Sequence, residues 1–139
     1  MRNTLLLLTI LLGLTGASFG QTGLPQTVAT IQRFNQTGPL PMDTLWAPAF
    51  PGIYRVTIVM VVTVGNGQPN SDWLPTLEWE DERGEETYQF PVSPQNANSS
   101  SVSVSIRDLP SGPIKGGVAS SGDTSGSKYD VFVVVEEIM

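Results

Sequence analysis

The fold turns on one stretch, Ile53-Tyr54-Arg55-Val56-Thr57-Ile58-Val59-Met60-Val61-Val62-Thr63-Val64. Tyr54, Val56, Ile58, Met60, Val62 and Val64 recur at every second position, the period at which a strand returns to one face. That stripe is expected to meet a core. The opposite set is polar at Arg55 and Thr57 but apolar at Val59 and Val61, so part of the outer face calls for a cover.

The same period continues on both sides. Leu77 and Trp79 alternate with Glu78 and Glu80, and Tyr88, Phe90 and Val92 resume the pattern after Asp81-Glu82-Arg83-Gly84. Gly84 stands where a positive φ costs least, so the two runs are expected to form a hairpin. Residues 101–107 point Val102, Val104 and Ile106 inward and Ser101, Ser103, Ser105 and Arg107 outward. Residues 129–138 carry Val131, Val133 and Val135 on one side and Phe132 and Val134 on the other, as in a central strand or one at an interface. Weaker strands at 27–34, 44–47 and 114–120 bring the count to about eight.

Composition agrees. In 139 residues, 14 Gly and 11 Pro accompany 40% hydrophobic and only 14% charged residues, which suits short strands joined by turns. The expectation is one all-β domain, residues 21–139, folded as a two-sheet antiparallel β-sandwich of the jelly-roll sort. An immunoglobulin-like sandwich is the alternative, disfavoured by the strand count.

Residues 1–20 read as a cleaved secretory signal peptide: Arg2, an apolar stretch from Leu5 to Leu14, then Ala17-Ser18-Phe19-Gly20 as small residues for a peptidase. The rival reading is a membrane anchor, but the stretch is about ten residues where a spanning helix takes about twenty. The mature protein is therefore expected outside the cytoplasm, secreted or periplasmic, with no membrane insertion after cleavage. Without Arg2 it carries six basic against thirteen acidic residues, a charge of −7. That balance disfavours nucleic acid and anionic membranes as partners. The chain has no His and no Cys. Ser-His-Asp and Cys-His nucleophiles, imidazole and thiolate metal sites and disulfides are thereby excluded, and no enzymatic activity is expected.

Pro51-Gly52-Ile53-Tyr54-Arg55-Val56, followed by the alternating strand, resembles the Pro-Gly-aromatic strand start of the C1q and tumour-necrosis-factor-like jelly rolls. The closing Tyr129-Asp130-Val131-Phe132-Val133-Val134-Val135 resembles their last strand. A nearer likeness is to small uncharacterised bacterial and phage-associated secreted proteins. In those, a Gly-Leu-Tyr-Arg-Val strand precedes a Trp-Thr-Asp hairpin, here Trp79-Glu80-Asp81, and a valine-rich last strand carries a Glu, here Glu136. The likeness covers residues 44–137. It implies a compact jelly roll that often forms a homotrimer and binds or displays. No collagen-like repeat precedes the domain, a departure from the C1q proteins.

Glu78, Glu80, Asp81, Glu82, Glu85 and Glu86 place six carboxylates within nine residues, relieved only by Arg83. The first reading is a solvated hairpin tip whose charges blunt the sheet edge. The second is a calcium site at Glu80, Asp81, Glu82 and Glu85, since hard oxygen ligands suit that ion, although the spacing matches no EF-hand. Paired glycosidase carboxylates are a distant third, for they need a pocket that sets two pKa values apart. Trp46 and Trp73, each near a proline turn, could be exposed stacking platforms for a sugar or could be buried, whereas Trp79 shares a face with Leu77 and reads as core. Asn35-Gln36-Thr37 and Asn98-Ser99-Ser100 match the N-glycosylation pattern, which a host that glycosylates would have to act on.

Two function classes survive. One is a non-catalytic module for binding or extracellular structural assembly, self-associating through Val59, Val61, Phe132 and Val134 or meeting another extracellular protein. The other is a carbohydrate-binding module, with calcium as its only conceivable cofactor. An aromatic-lined groove with convergent polar groups would favour the second, and an apolar face the first.

Overall fold

The computed structural model describes residues 24–108 and 112–138. The expected signal peptide, residues 1–20, lies outside them.

Eight strands follow in order: β1 (Gln26–Gln36), β2 (Leu40–Trp46), β3 (Gly52–Val64), β4 (Asp72–Asp81), β5 (Gly84–Gln89), β6 (Asn98–Asp108), β7 (Ile114–Ser121) and β8 (Lys128–Glu137). Among the described residues there is no helix. All pairings are antiparallel, and they assemble two four-stranded sheets, β1-β8-β3-β6 and β2-β7-β4-β5. Consecutive strands mostly lie in opposite sheets, and the last strand returns between the first and the third. That ordering is a jelly roll, the architecture expected from the alternation.

The stripe on β3 forms the middle of the core: Tyr54, Val56, Ile58, Met60 and Val62 are all buried. They pack with Tyr129, Val131, Val133 and Val135 of β8 on the same sheet, and with Trp73, Leu77, Ile114 and Val118 from the other. Val64 departs from the expectation and is 43% exposed. The β3–β8 register slips between Val62 and Val64, so the stripe ends at the rim of the sandwich.

The β4–β5 hairpin forms where expected. Asp81 pairs with Gly84, whose φ of 117° is a conformation that a residue with a Cβ rarely adopts. Tyr88 lies opposite Leu77, but β5 ends at Gln89 and Phe90 and Val92 rejoin β4 through backbone bonds to Pro75 and Trp73. At the far end of the sandwich, Asn66 donates from Nδ2 to the carbonyls of Asp123 (2.9 Å) and Ser125 (3.2 Å), tying the β7–β8 loop to the β3–β4 loop. Gly122 in that loop has φ +70° and lies so close to Asn70 that a Cβ would sit 2.6 Å from its carbonyl oxygen.

Candidate functional site: an apolar face on one sheet

β3 and β8 are central in their sheet, and the pleat turns their odd and even residues to opposite sides. On the side away from the core, Val59 stands opposite Phe132, Thr57 opposite Val134, Val61 opposite Asp130 and Arg55 opposite Glu136. The four residues expected at an interface, Val59, Val61, Phe132 and Val134, thus share one contiguous patch, and all four remain half-buried. Phe34 of β1 extends it, its ring meeting Phe132 edge to face at a centroid distance of 5.4 Å. Phe34 is 51% exposed. The alternation in 27–34 gave no face for it, because two register shifts in β1 break the strict period.

Polar groups frame the patch. Arg55 Nε donates to Glu136 Oε2 at 2.8 Å, and this bond holds the Glu136 carboxyl below its usual range. Asp130 Oδ1 accepts the backbone N–H of Asn35 at 2.7 Å, and Thr57 and Ser103 hydroxyls bond at 2.8 Å. An apolar centre with a polar rim is the arrangement of a protein contact surface.

The acidic hairpin is organised differently. Asp81 takes both the backbone N–H of Arg83 (2.7 Å) and its guanidinium (3.0 Å), and these hydrogen bonds, with the attraction of Arg83, hold its carboxyl below the usual range. Glu82 reaches Arg107 at 3.0 Å and Glu86 lies 3.7 Å from Arg83. Glu80 and Glu85 are direct cross-strand neighbours. Among the described residues no group of three or more carboxylates could hold a metal ion. Beside the hairpin, Trp79 lies in a groove of about 310 Å³ with Glu78, Glu80, Glu86 and Lys115.

Trp73 corrects the sugar-platform expectation. It is 0% exposed, its indole N–H donates to Ser127 Oγ at 3.1 Å, and its ring packs on Tyr129 at 4.7 Å. Pro75 and Asp72 beside it signalled a loop, but residues 72–81 form a strand that turns Trp73 inward. Trp46 is half-buried against the core, with its indole nitrogen enclosed and without a partner among the described residues, so it offers only part of a ring.

A second concavity of about 170 Å³ opens between the sheets at the β1–β2 side, walled by Ile31, Leu45, Ile58, Leu77 and Val133 with Arg33 and Asp43 at its lining. It has no aromatic wall.

No protein-family profile matches the chain, and no curated protein matches it in sequence. Among solved structures it is similar to the PRD1 vertex protein P5, with a TM-score of 0.51 at 13% identity over 84% of this chain and 100% of that one. Weaker likenesses are to dimeric latent PorU from Porphyromonas gingivalis (TM-score 0.41, 8% identity, 84% of this chain and 11% of that one) and to infectious bursal disease virus, Gx strain (0.35, 12%, 83% and 32%). At these identities what is shared is the fold, and only the first similarity is close enough to bear on it.

Proposed function

We propose that this chain is a non-catalytic structural module that self-associates through the outer face of the β1-β8-β3-β6 sheet. The observation that carries the reading is the patch of Phe34, Val59, Val61, Phe132 and Val134 on a face that an isolated sandwich would leave polar. Patches of this kind mark contact surfaces. The fold shared with the PRD1 vertex protein P5 supports an assembly role, and the resemblance of 51–56 and 129–135 to C1q and tumour-necrosis-factor-like domains supports a homotrimer about a threefold axis. The apolar stretch and small residues of 1–20 support export, so the assembly is proposed to form outside the cytoplasm. Sedimentation equilibrium of the mature protein tests the reading: oligomers are expected, and a monomer at high concentration overturns it. N-terminal sequencing of the exported protein is expected to begin at Gln21.

The groove at Trp79 supports a second reading, a carbohydrate-binding module. It combines an aromatic ring with several carboxylates and Lys115. Binding on a glycan array that is lost in Trp79→Ala but kept in Val59→Lys would favour it over assembly.

A further inference from the structure

A sandwich of two four-stranded sheets has four edge strands, and here these are β1, β6, β2 and β5. An open edge exposes unpaired N–H and C=O groups, so proteins that stay apart break, shorten or charge their edges. Three of the four carry such devices. β1 has register shifts between Thr27 and Ala29 and between Arg33 and Gln36. β2 is interrupted twice and contains Pro41 and Asp43. β5 is six residues long and presents Glu85 and Glu86.

β6 is the least protected, carrying charge only at its end, on Arg107 and Asp108. It pairs with β3 at every position from Asn98 opposite Val62 to Asp108 opposite Gly52, with no register shift. It contains no proline, and no charged residue from Asn98 through Ile106. Val102 and Val104, on its inward side, stay half-buried at the flank of the sandwich. An eleven-residue edge without a register shift, uncharged over its first nine residues, is a template for another strand.

We infer that β6 pairs antiparallel with β6 of a second copy, about a twofold axis through Ser103, joining two β1-β8-β3-β6 sheets into one eight-stranded sheet. The register follows from the pleat. Directly opposed residues share a face, so the numbers of a pair must sum to an even value, and centring on Ser103 uses the whole of β6. Val102 then meets the partner subunit's Val104, Ser101 meets the partner subunit's Ser105, and Arg107 meets the partner subunit's Ser99. No like charges are opposed, in a molecule otherwise rich in carboxylates. The contact is self-complementary, as a twofold interface requires. It rests on the assembly reading but not on the apolar face, and it adds a second kind of contact, so that units closed through the face can be linked through the edge.

The absence of cysteine allows a direct test, because one engineered thiol reports only its own contact. The background is Val59→Lys with Val134→Lys, which removes the face contact. There, Ser103→Cys is expected to give a disulfide-linked dimer on mild oxidation, since opposed Cα atoms in an antiparallel pair are about 4.5–5.5 Å apart, within disulfide range. Thr87→Cys, on the blunted β5 edge, is expected to stay monomeric. Association without oxidation should be about tenfold weaker in Ser101→Lys/Ser105→Lys, which opposes two like-charged pairs, and restored in Ser101→Glu/Ser105→Lys. Equal cross-linking at 103 and 87 overturns the edge contact. Cross-linking without the charge-swap rescue overturns the register. Oligomers lost with the face substitutions alone, and no edge dimer, would leave the apolar face as the assembly contact and remove this one.

Discussion

Val59 and Phe132 stand directly opposite each other on β3 and β8, two apolar side chains turned away from the core of a sandwich whose inner face is already filled. The pair lies at the centre of its sheet, where neither edge strand can cover it.

Replacing Val59 and Val134 with Lys is expected to break the face contact, leaving nothing larger than the β6-linked dimer, with the β circular-dichroism signal nearly unchanged. Both side chains are half-buried and outside the inner stripe, so the charges can reach water. Light scattering of wild type and variant side by side checks this, and loss of the β signal would count against a surface role.

The buried indole of Trp73 depends on one hydroxyl. Ser127→Ala leaves its N–H without the 3.1 Å acceptor in a closed core, which is expected to cost about 1–3 kcal/mol. Trp73→Ala should cost about 3–5 kcal/mol through the cavity it leaves. Urea unfolding followed by far-ultraviolet circular dichroism gives both values.

The acidic hairpin is expected to be dispensable for folding. Converting Glu82, Glu85 and Glu86 to Gln removes one exposed contact to Arg107 and one to Arg83 and relieves like-charge repulsion, so the melting temperature should move by only a few degrees. Calcium should leave the wild-type melting temperature where it is. A calcium-dependent rise, abolished in the triple variant, would instead establish a metal site by linkage.

Stability should fall at both ends of the pH scale for separate reasons. Arg55 and Arg83 lower the folded pKa of Glu136 and Asp81 from 4.5 and 3.8, so their contribution is present above those values and disappears as pH drops through the lower folded ones. Burial pushes the Tyr129 phenol up to about 12, and its hydroxyl donates to the Gly38 carbonyl at 2.8 Å. Its contribution is complete below pH 10 and is lost between 10 and about 12, amounting to about 3 kcal/mol. Tyr129→Phe should flatten the alkaline limb in a pH series of urea midpoints.

Most of the strands, and the apolar sides of β3, β6 and β8, were legible in the alternation alone, because alternation is a local property of the pleat, whereas the start of β4 at Asp72 and of β2 at Leu40 was not. The stripe from Tyr54 to Val62, the turn at Gly84 and the inward Val131, Val133 and Val135 needed no knowledge of their partners. The exclusion of histidine and cysteine chemistry was equally local. Whatever depends on neighbours distant in sequence was fixed by the packing of the two sheets. Trp73 is buried because Ser127 and Tyr129 arrive from β8 and the loop before it, and Val64 is exposed because its partner strand slips out of register. Phe34 joins the patch because β1 lies beside β8. β6 is an open edge because, among the described residues, no strand follows it in the sheet, a fact of strand order that a period of two does not carry.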